Sequence, residues 1–375
     1  MKIALIQPRV SYYVGGGEKI PLDHAKHLAS LGNKVLILTT SMSPERQSFL
    51  FKDLKNKKIP NLSILEIPIP KRFEYIYKIK PGVDRERWNT ESLLFGNLAH
   101  KYLLEFRPDI IVSYYLLDGI FNPTNFTNVL YLLGYPSDKQ AIRKSFLRFY
   151  GATISISSVV KNKWQDYIEK HTKSFVLNIG VDVKTDIKGL GLRGEHNIVF
   201  AGRLIERKGA ATLVEAFQDV IKKLQKAHLW ILGDGPQKDD LQAQVRRLKL
   251  NGKVTFKGLT KNLLGYFKSA DVAVFPSYEK EGLMNVVLEA MSVGAPVVTT
   301  TGNGNEDIIQ NGQSGILVKP RQPKDLSRAI TYLLKNSAER KRLGKNAAKM
   351  IAGNFTWSKK IEEFQVLLEK IAKDT

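Results

Sequence analysis

A chain of 375 residues is longer than one hydrophobic core ordinarily serves and predicts two domains. With 43% hydrophobic and 25% charged residues, no cysteine, and no apolar run near the roughly 20 residues of a membrane span, the composition excludes a disulfide scaffold, thiolate chemistry and a membrane-spanning bundle. The net charge of +22 predicts attraction to polyanions, whether nucleic acid, anionic lipid head groups or phosphorylated substrates; a generally lysine-rich surface is the plainer reading.

Residues 2–7 read as a strand, with too short an apolar stretch for a secretory leader, so a cytoplasmic location is expected. Gly15, Gly16 and Gly17 follow, then a helix with an apolar face of Ile20, Leu22, Ala25, Leu28 and Leu31, closed by Gly32. Residues 34–39 are the next strand, and strand, glycine loop, helix, strand is a Rossmann-like opening. The glycines lack the G-x-G-x-x-G order of dinucleotide sites, so no nicotinamide cofactor is expected; their loop either simply turns the chain or approaches a ligand. His24 and His27 stand three apart without a further ligand cluster nearby, and read as helix-surface histidines rather than a metal pair.

Between 51 and 88 the chain is basic and aromatic. Lys52, Lys55, Lys57, Lys58, Lys71, Arg72, Lys78, Lys80, Arg85 and Arg87 mingle with Phe73, Tyr75, Tyr77 and Trp88. That mixture suits a membrane interface or single-stranded nucleic acid, and equally a solvated loop over the sheet; Phe73, Tyr75 and Tyr77 also fit one face of a strand. Residues 107–113 and 128–133 are further strands, the second closed by Gly134, Tyr135 and Pro136. A basic amphipathic helix is predicted over 138–150, with Ile142, Phe146 and Phe149 on one side beside Arg143, Lys144 and Arg148; it fits a membrane surface or a cover for the sheet. Strands at 153–157 and 175–182 follow. Residues 183–195, with three glycines and little periodicity, read as a linker, and the alternating pattern restarts at 197–202.

The run GRLIERKG at 202–209 joins that strand to a helix near Thr212. Arg203 and Lys208 in a glycine-bounded loop at a strand's carboxyl end form a diphosphate clamp, one supplying a planar fork of donors and the other a compact charge. Two cations offset the charge of a leaving diphosphate without a metal ion; a basic surface turn is the bland alternative. Residues 228–232 form a strand ending at Gly233, and 253–260 a strand whose end, at Gly258 and Thr260, can reach a nucleobase through its backbone. Buried strands at 271–276 and 296–299 then flank the run EGLMNVVLE at 281–289. Leu283, Val287 and Ala290 fall at helical spacing, Gly294 ends the helix and Pro296 bars its continuation. Gly282 permits close backbone approach, free N–H groups at the helix start hold an anion, and Glu281 and Glu289 accept hydroxyls. A ligand with both hydroxyls and phosphate, such as a nucleotide sugar, fits them; the alternative is an ordinary crossover helix with two solvent-facing glutamates. A strand at 314–318, helices at 325–334 and 338–350, and a final helix with Ile361, Phe364, Leu367, Leu368 and Ile371 on its apolar side complete the chain.

GRLIERKG and the E-x7-E spacing of Glu281 and Glu289 resemble the signatures of retaining GT-B glycosyltransferases of the family 4 type. The resemblance implies an α/β GT-B fold, two Rossmann-like domains with parallel sheets facing an interdomain cleft. Its parts would be an acceptor domain (1–182), a linker (183–195), a nucleotide-sugar domain (196–354) and a terminal helix (355–375) crossing back to the first domain. By the same resemblance Arg203 and Lys208 would hold the donor diphosphate, within a binding set that includes Gly202, Gly233 and the backbone of Gly282, Leu283, Met284, Asn285 and Val286. Glu281 would take hydroxyls of the transferred sugar, Glu289 the ribose, and Gly258 with Thr260 the base. Gly15, Gly16 and Gly17 would approach the phosphates or the acceptor. Arg203, Lys208 and Glu281 are thus the expected catalytic set, with no metal and no cofactor. The expected donor is UDP- or GDP-linked and the acceptor lipid-linked or membrane-proximal at the inner face of the cell membrane; nucleic acid is not an expected partner. The chain departs from the family where relatives often carry a histidine after the strand at 129–133: here Gly134 stands. A noncatalytic binding subunit of the same fold, or a sugar-nucleotide epimerase, are the other readings.

Overall fold

A computed structural model describes residues 1–13, 15–72, 85–114, 126–136, 147, 150–168, 172–278 and 280–374, with the side chains of 85–93 excepted. The aromatic run at Phe73, Tyr75 and Tyr77, its neighbours Lys78 and Lys80, the side chains of Arg85, Arg87 and Trp88, and most of the amphipathic helix expected at 138–150 therefore lie outside the described residues. The chain packs as two units, Met1–Ile179 together with Ser358–Thr375, and Gly180–Trp357.

The first unit is built on a seven-stranded sheet in the order β3-β2-β1-β4-β5-β6-β7. Its strands are β1 (Lys2–Ile6), β2 (Lys34–Thr40), β3 (Leu62–Ile67), β4 (Ile110–Ser113), β5 (Asn128–Leu132), β6 (Ala152–Ser155) and β7 (Lys173–Val176). Every pairing is parallel, and the inner strands read as continuous apolar runs because helices cover both faces. The strand order reverses beside β1, and the glycine loop leaves β1 toward the helix Gly16–Ser30 at that switch point. Phe95, Ala99 and Leu103 of the helix Arg85–Phe106 fill the core against Ala4, Ile6, Leu36, Leu38 and Ile111.

Two expectations need correction here. Within the basic stretch at 51–88, the part up to residue 67 is not a solvated loop: Ser48 caps the helix Phe49–Asn56 by accepting the Phe51 N–H at 3.2 Å, and β3 follows as an edge strand. Nor is His24 on the surface. It is 2% exposed, its Nδ1 shares a 2.6 Å hydrogen bond with the Tyr114 hydroxyl, and the rings of Phe364 and Tyr131 lie 4.6 and 5.2 Å away. Phe364 belongs to the helix Trp357–Lys373, so the histidine is packed from two sides. Burial, aided by the neighbouring His27, pushes its pKa down to about 3.

The second unit carries a six-stranded parallel sheet in the order β10-β9-β8-β11-β12-β13. These strands are β8 (His196–Ala201), β9 (Ala227–Leu232), β10 (Val254–Gly258), β11 (Val272–Phe275), β12 (Val297–Thr300) and β13 (Ile316–Val318). Leu213, Val214, Phe217 and Val220 of the helix Ala210–Lys223 meet Leu326, Ile330 and Leu333 of the helix Pro323–Lys335 in one core. Residues 183–195 belong to this unit, where the Glu195 N–H donates to the Lys226 carbonyl at 3.2 Å. Val181 and Thr356 pair in parallel, so the segments entering and leaving the unit are neighbours.

Candidate functional site

Beside the switch point between β8 and β11, several loops leave the carboxyl ends of the strands, the place where doubly wound sheets hold ligands. The first loop starts at Gly202, passes through a short 3-10 turn at Glu206–Lys208 and enters the helix Ala210–Lys223 at Gly209. Gly209 is left-handed at φ 70°, and a Cβ there would overlap the Pro276 carbonyl oxygen. A Cβ at Gly233 would likewise overlap the Gly202 carbonyl oxygen, so this loop is pressed backbone to backbone between two others. Hydrogen bonds fix the stack: Leu204 N–H to Asp234 O at 2.9 Å, Gly233 N–H to Gly258 O at 2.8 Å, and Tyr278 N–H to Arg207 O at 2.8 Å.

That stacking delivers cations to one buried carboxylate. Glu281 is 6% exposed. Its Oε2 lies 3.1 Å from Lys208 Nζ, and its Oε1 lies 2.9 Å from Arg207 Nη1, the Arg207 contact being charge against charge without hydrogen-bond alignment. Burial pulls the Lys208 pKa down, Glu281 opposes that shift, and the positive fields of Arg207 and Arg203 reinforce it. The two motifs thus meet through Lys208 and Glu281, with Arg203 close enough to act on Lys208 through its field. The sequence signal for Arg207 is only its place beside Lys208, which linear spacing alone does not rank above a surface arginine.

The backbone carrying Glu281 is itself clamped. Lys280 is left-handed at φ 79°, an unfavourable conformation for a lysine. Gly304 N–H donates to Glu281 O at 3.2 Å, and Met284 N–H donates to Asn305 Oδ1 at 3.3 Å. Asn305 is fully buried; its side-chain amide reaches Thr299 Oγ1 at 3.2 Å, and Thr299 in turn donates to the Phe275 carbonyl at 2.8 Å. Asn303 Oδ1 accepts the Asn305 N–H at 3.0 Å, and its amide nitrogen donates to the Thr300 carbonyl at 2.9 Å. Neither asparagine has a signal in the linear spacing: Asn303 orders the turn around itself, and Asn305 satisfies a backbone donor 21 residues earlier.

This network changes two expectations. The helix spans Asn285–Ser292, so Leu283 sits in the preceding buried loop rather than in the helix. The Met284 N–H, one of the expected anion-binding donors, is engaged by Asn305. Glu289 is half-buried within the helix. Gly258 ends β10 at φ 73°, and Thr260 Oγ1 accepts the Asn262 N–H at 3.1 Å. Gly15, Gly16 and Gly17 belong to the first unit, where Gly15 is the extended N-cap of the helix Gly16–Ser30. Gly134 also lies there, its carbonyl accepting Trp164 Nε1–H at 2.7 Å, with open space where a Cβ would stand. Among the described residues no group of three His, Cys, Asp or Glu side chains gathers as metal ligands, and no helix is long and apolar enough to cross a membrane.

Two Rossmann-like parallel sheets define an α/β fold of the GT-B type, and residues 182–350 match the family model of glycosyl transferases group 1. In sequence the chain is 24% identical over 388 residues to an uncharacterized glycosyltransferase of Methanocaldococcus jannaschii, covering 96% of each. In structure it matches sucrose-phosphate synthase of Thermosynechococcus elongatus at a TM-score of 0.79 and 21% identity, covering all of both chains. It also matches HepE of Anabaena, solved in complex with UDP-glucose, at a TM-score of 0.76 and 18% identity, covering 99% of this chain and 100% of that one.

Proposed function

We propose that this protein is a retaining, metal-independent glycosyltransferase that moves a sugar from a UDP- or GDP-linked donor to a lipid-linked or membrane-proximal acceptor. The observation that carries the reading is the buried Glu281 held by Lys208 and Arg207, with Arg203 nearby, at the strand ends of the second unit. Such a cluster suits a ligand that brings a diphosphate to the cations and hydroxyls to the carboxylate. The UDP-glucose bound by HepE, a protein of the same fold, supports the choice of donor. In this proposal the acceptor oxygen attacks the anomeric carbon as its bond to the diphosphate breaks. The acceptor's proton passes to the departing phosphate oxygen on the same face, and Arg203 and Lys208 offset the charge that accumulates there.

Incubation with a panel of nucleotide sugars, followed by detection of released nucleoside diphosphate, tests the activity. Release is expected with a UDP- or GDP-linked donor, resistant to a chelator and lowered about 100-fold or more by Glu281→Ala. Donor binding without turnover, unaffected by that substitution, would favour a noncatalytic binding protein, the reading to which Gly134 points. The anomeric configuration of the product, read by NMR, decides retention.

The membrane part of the proposal rests on the net charge of +22 and on Phe49, 67% exposed, beside the exposed Lys52. Lys55 and Lys57 contribute less, being paired with Glu66 and Asp53. Cosedimentation should be greater with anionic than with neutral liposomes, and equal recovery would remove this part alone.

A further inference from the structure

The carboxylate expected to meet a sugar is engaged by the cations expected to meet a diphosphate. Beside Arg207, Glu206 faces Arg321 at 3.8 Å, and that guanidinium also stacks 3.8 Å over the Tyr278 ring. The Arg207 backbone is fixed by its carbonyl, which accepts the Tyr278 N–H, while its side chain lies 2.9 Å from Glu281 and remains 44% exposed. Lys208, 18% exposed, is buried where a lone ammonium is disfavoured, and Glu281 offsets that cost.

We propose that Arg207 is a third cation of the donor site and that Glu281 is a built-in counter-ion, which an arriving diphosphate displaces from Arg207 and Lys208. This rests on reading the 202–209 loop as the diphosphate site. A diphosphate brings at least two negative charges to the same cations, so Glu281 becomes redundant as their partner and is repelled by the newcomer. The carboxylate, released from both cations, becomes available as an acceptor for hydroxyl groups. Glu281 therefore opposes binding of a bare nucleoside diphosphate and recovers the difference only when a sugar is attached. The exchange makes the site select the intact donor over the spent nucleotide.

Calorimetric titration with UDP and GDP, using wild type, Glu281→Gln and Arg207→Gln, tests the exchange. Glu281→Gln keeps the shape and removes the charge, and should tighten binding of the bare diphosphate about 5- to 10-fold while narrowing the advantage of UDP-sugar over UDP. Arg207→Gln should weaken diphosphate binding about 10-fold. Unchanged or weaker diphosphate binding in Glu281→Gln would overturn the proposal, because a carboxylate that merely orients the cations predicts that sign. Unchanged binding in Arg207→Gln would also overturn it. Should Glu281→Gln fail to fold, the Arg207 variant decides alone, its side chain being partly exposed. Wild-type protein that binds neither nucleotide would instead refute the donor-site reading itself.

Discussion

At Gly209 the need for glycine comes from two sources that add. The left-handed backbone strains any L side chain, and the Pro276 carbonyl occupies the space a methyl group would need. Gly209→Ala should cost about 3 kcal/mol or more in urea unfolding, whereas Gly302→Ala, also at positive φ but in open surroundings, should cost only about 1 kcal/mol. Asn305→Ala removes the acceptor of the Met284 N–H and should cost about 1–3 kcal/mol. It should also raise KM for the donor, since the loop it releases carries Glu281. His24 gives a pH signature whose sign is set by burial. The folded imidazole resists protonation until about pH 3, against an ordinary value of 6.5, so the unfolded chain takes up the proton first as pH falls. The stability contributed by neutral His24 is complete above pH 6.5 and is lost at about 1.4 kcal/mol per pH unit on the way down. Unfolding free energies for His24→Phe, measured from about pH 7 to 4, should fall less steeply than wild type, by one proton.

Among the elements, the helix Trp357–Lys373 closes the aromatic nest of His24, Tyr114 and Tyr131 with Phe364, which is fully buried. Phe364→Ala should destabilise the first unit by about 3–5 kcal/mol and leave the second unit's transition in place, a difference calorimetry can resolve. What could be read from the chain at this scale follows burial. Inner strands such as β2, β4 and β11 are covered on both faces, and their uninterrupted apolar runs identify them without help. β3 is an edge strand with mixed exposure, and its LSILEI sequence lacks an uninterrupted apolar run that would set it apart from the basic stretch around it. Leu283 imitates a helical residue because a buried loop also selects an apolar side chain. In the site, Lys208 and Glu281 lie in separate motifs, each carrying its own chemistry, and could be named from the sequence. Asn305 acts on Met284, 21 positions earlier, through a buried bond that no local pattern records.

For the molecule as a whole, the net charge of +22 gives nucleotide association a steering component that salt should screen. Association rates for a nucleoside diphosphate, followed by stopped flow, should fall several-fold between about 50 and 500 mM salt. The first unit also has a discontinuity in sequence: residues 1–179 are completed by 358–375, with the whole second unit interposed. On a ribosome adding about 5–20 residues per second, the interposed stretch delays the closing helix by on the order of ten to forty seconds. For that interval the nascent protein lacks the Phe364 ring that packs on His24 and Tyr131, even while the second unit, already translated, is free to fold.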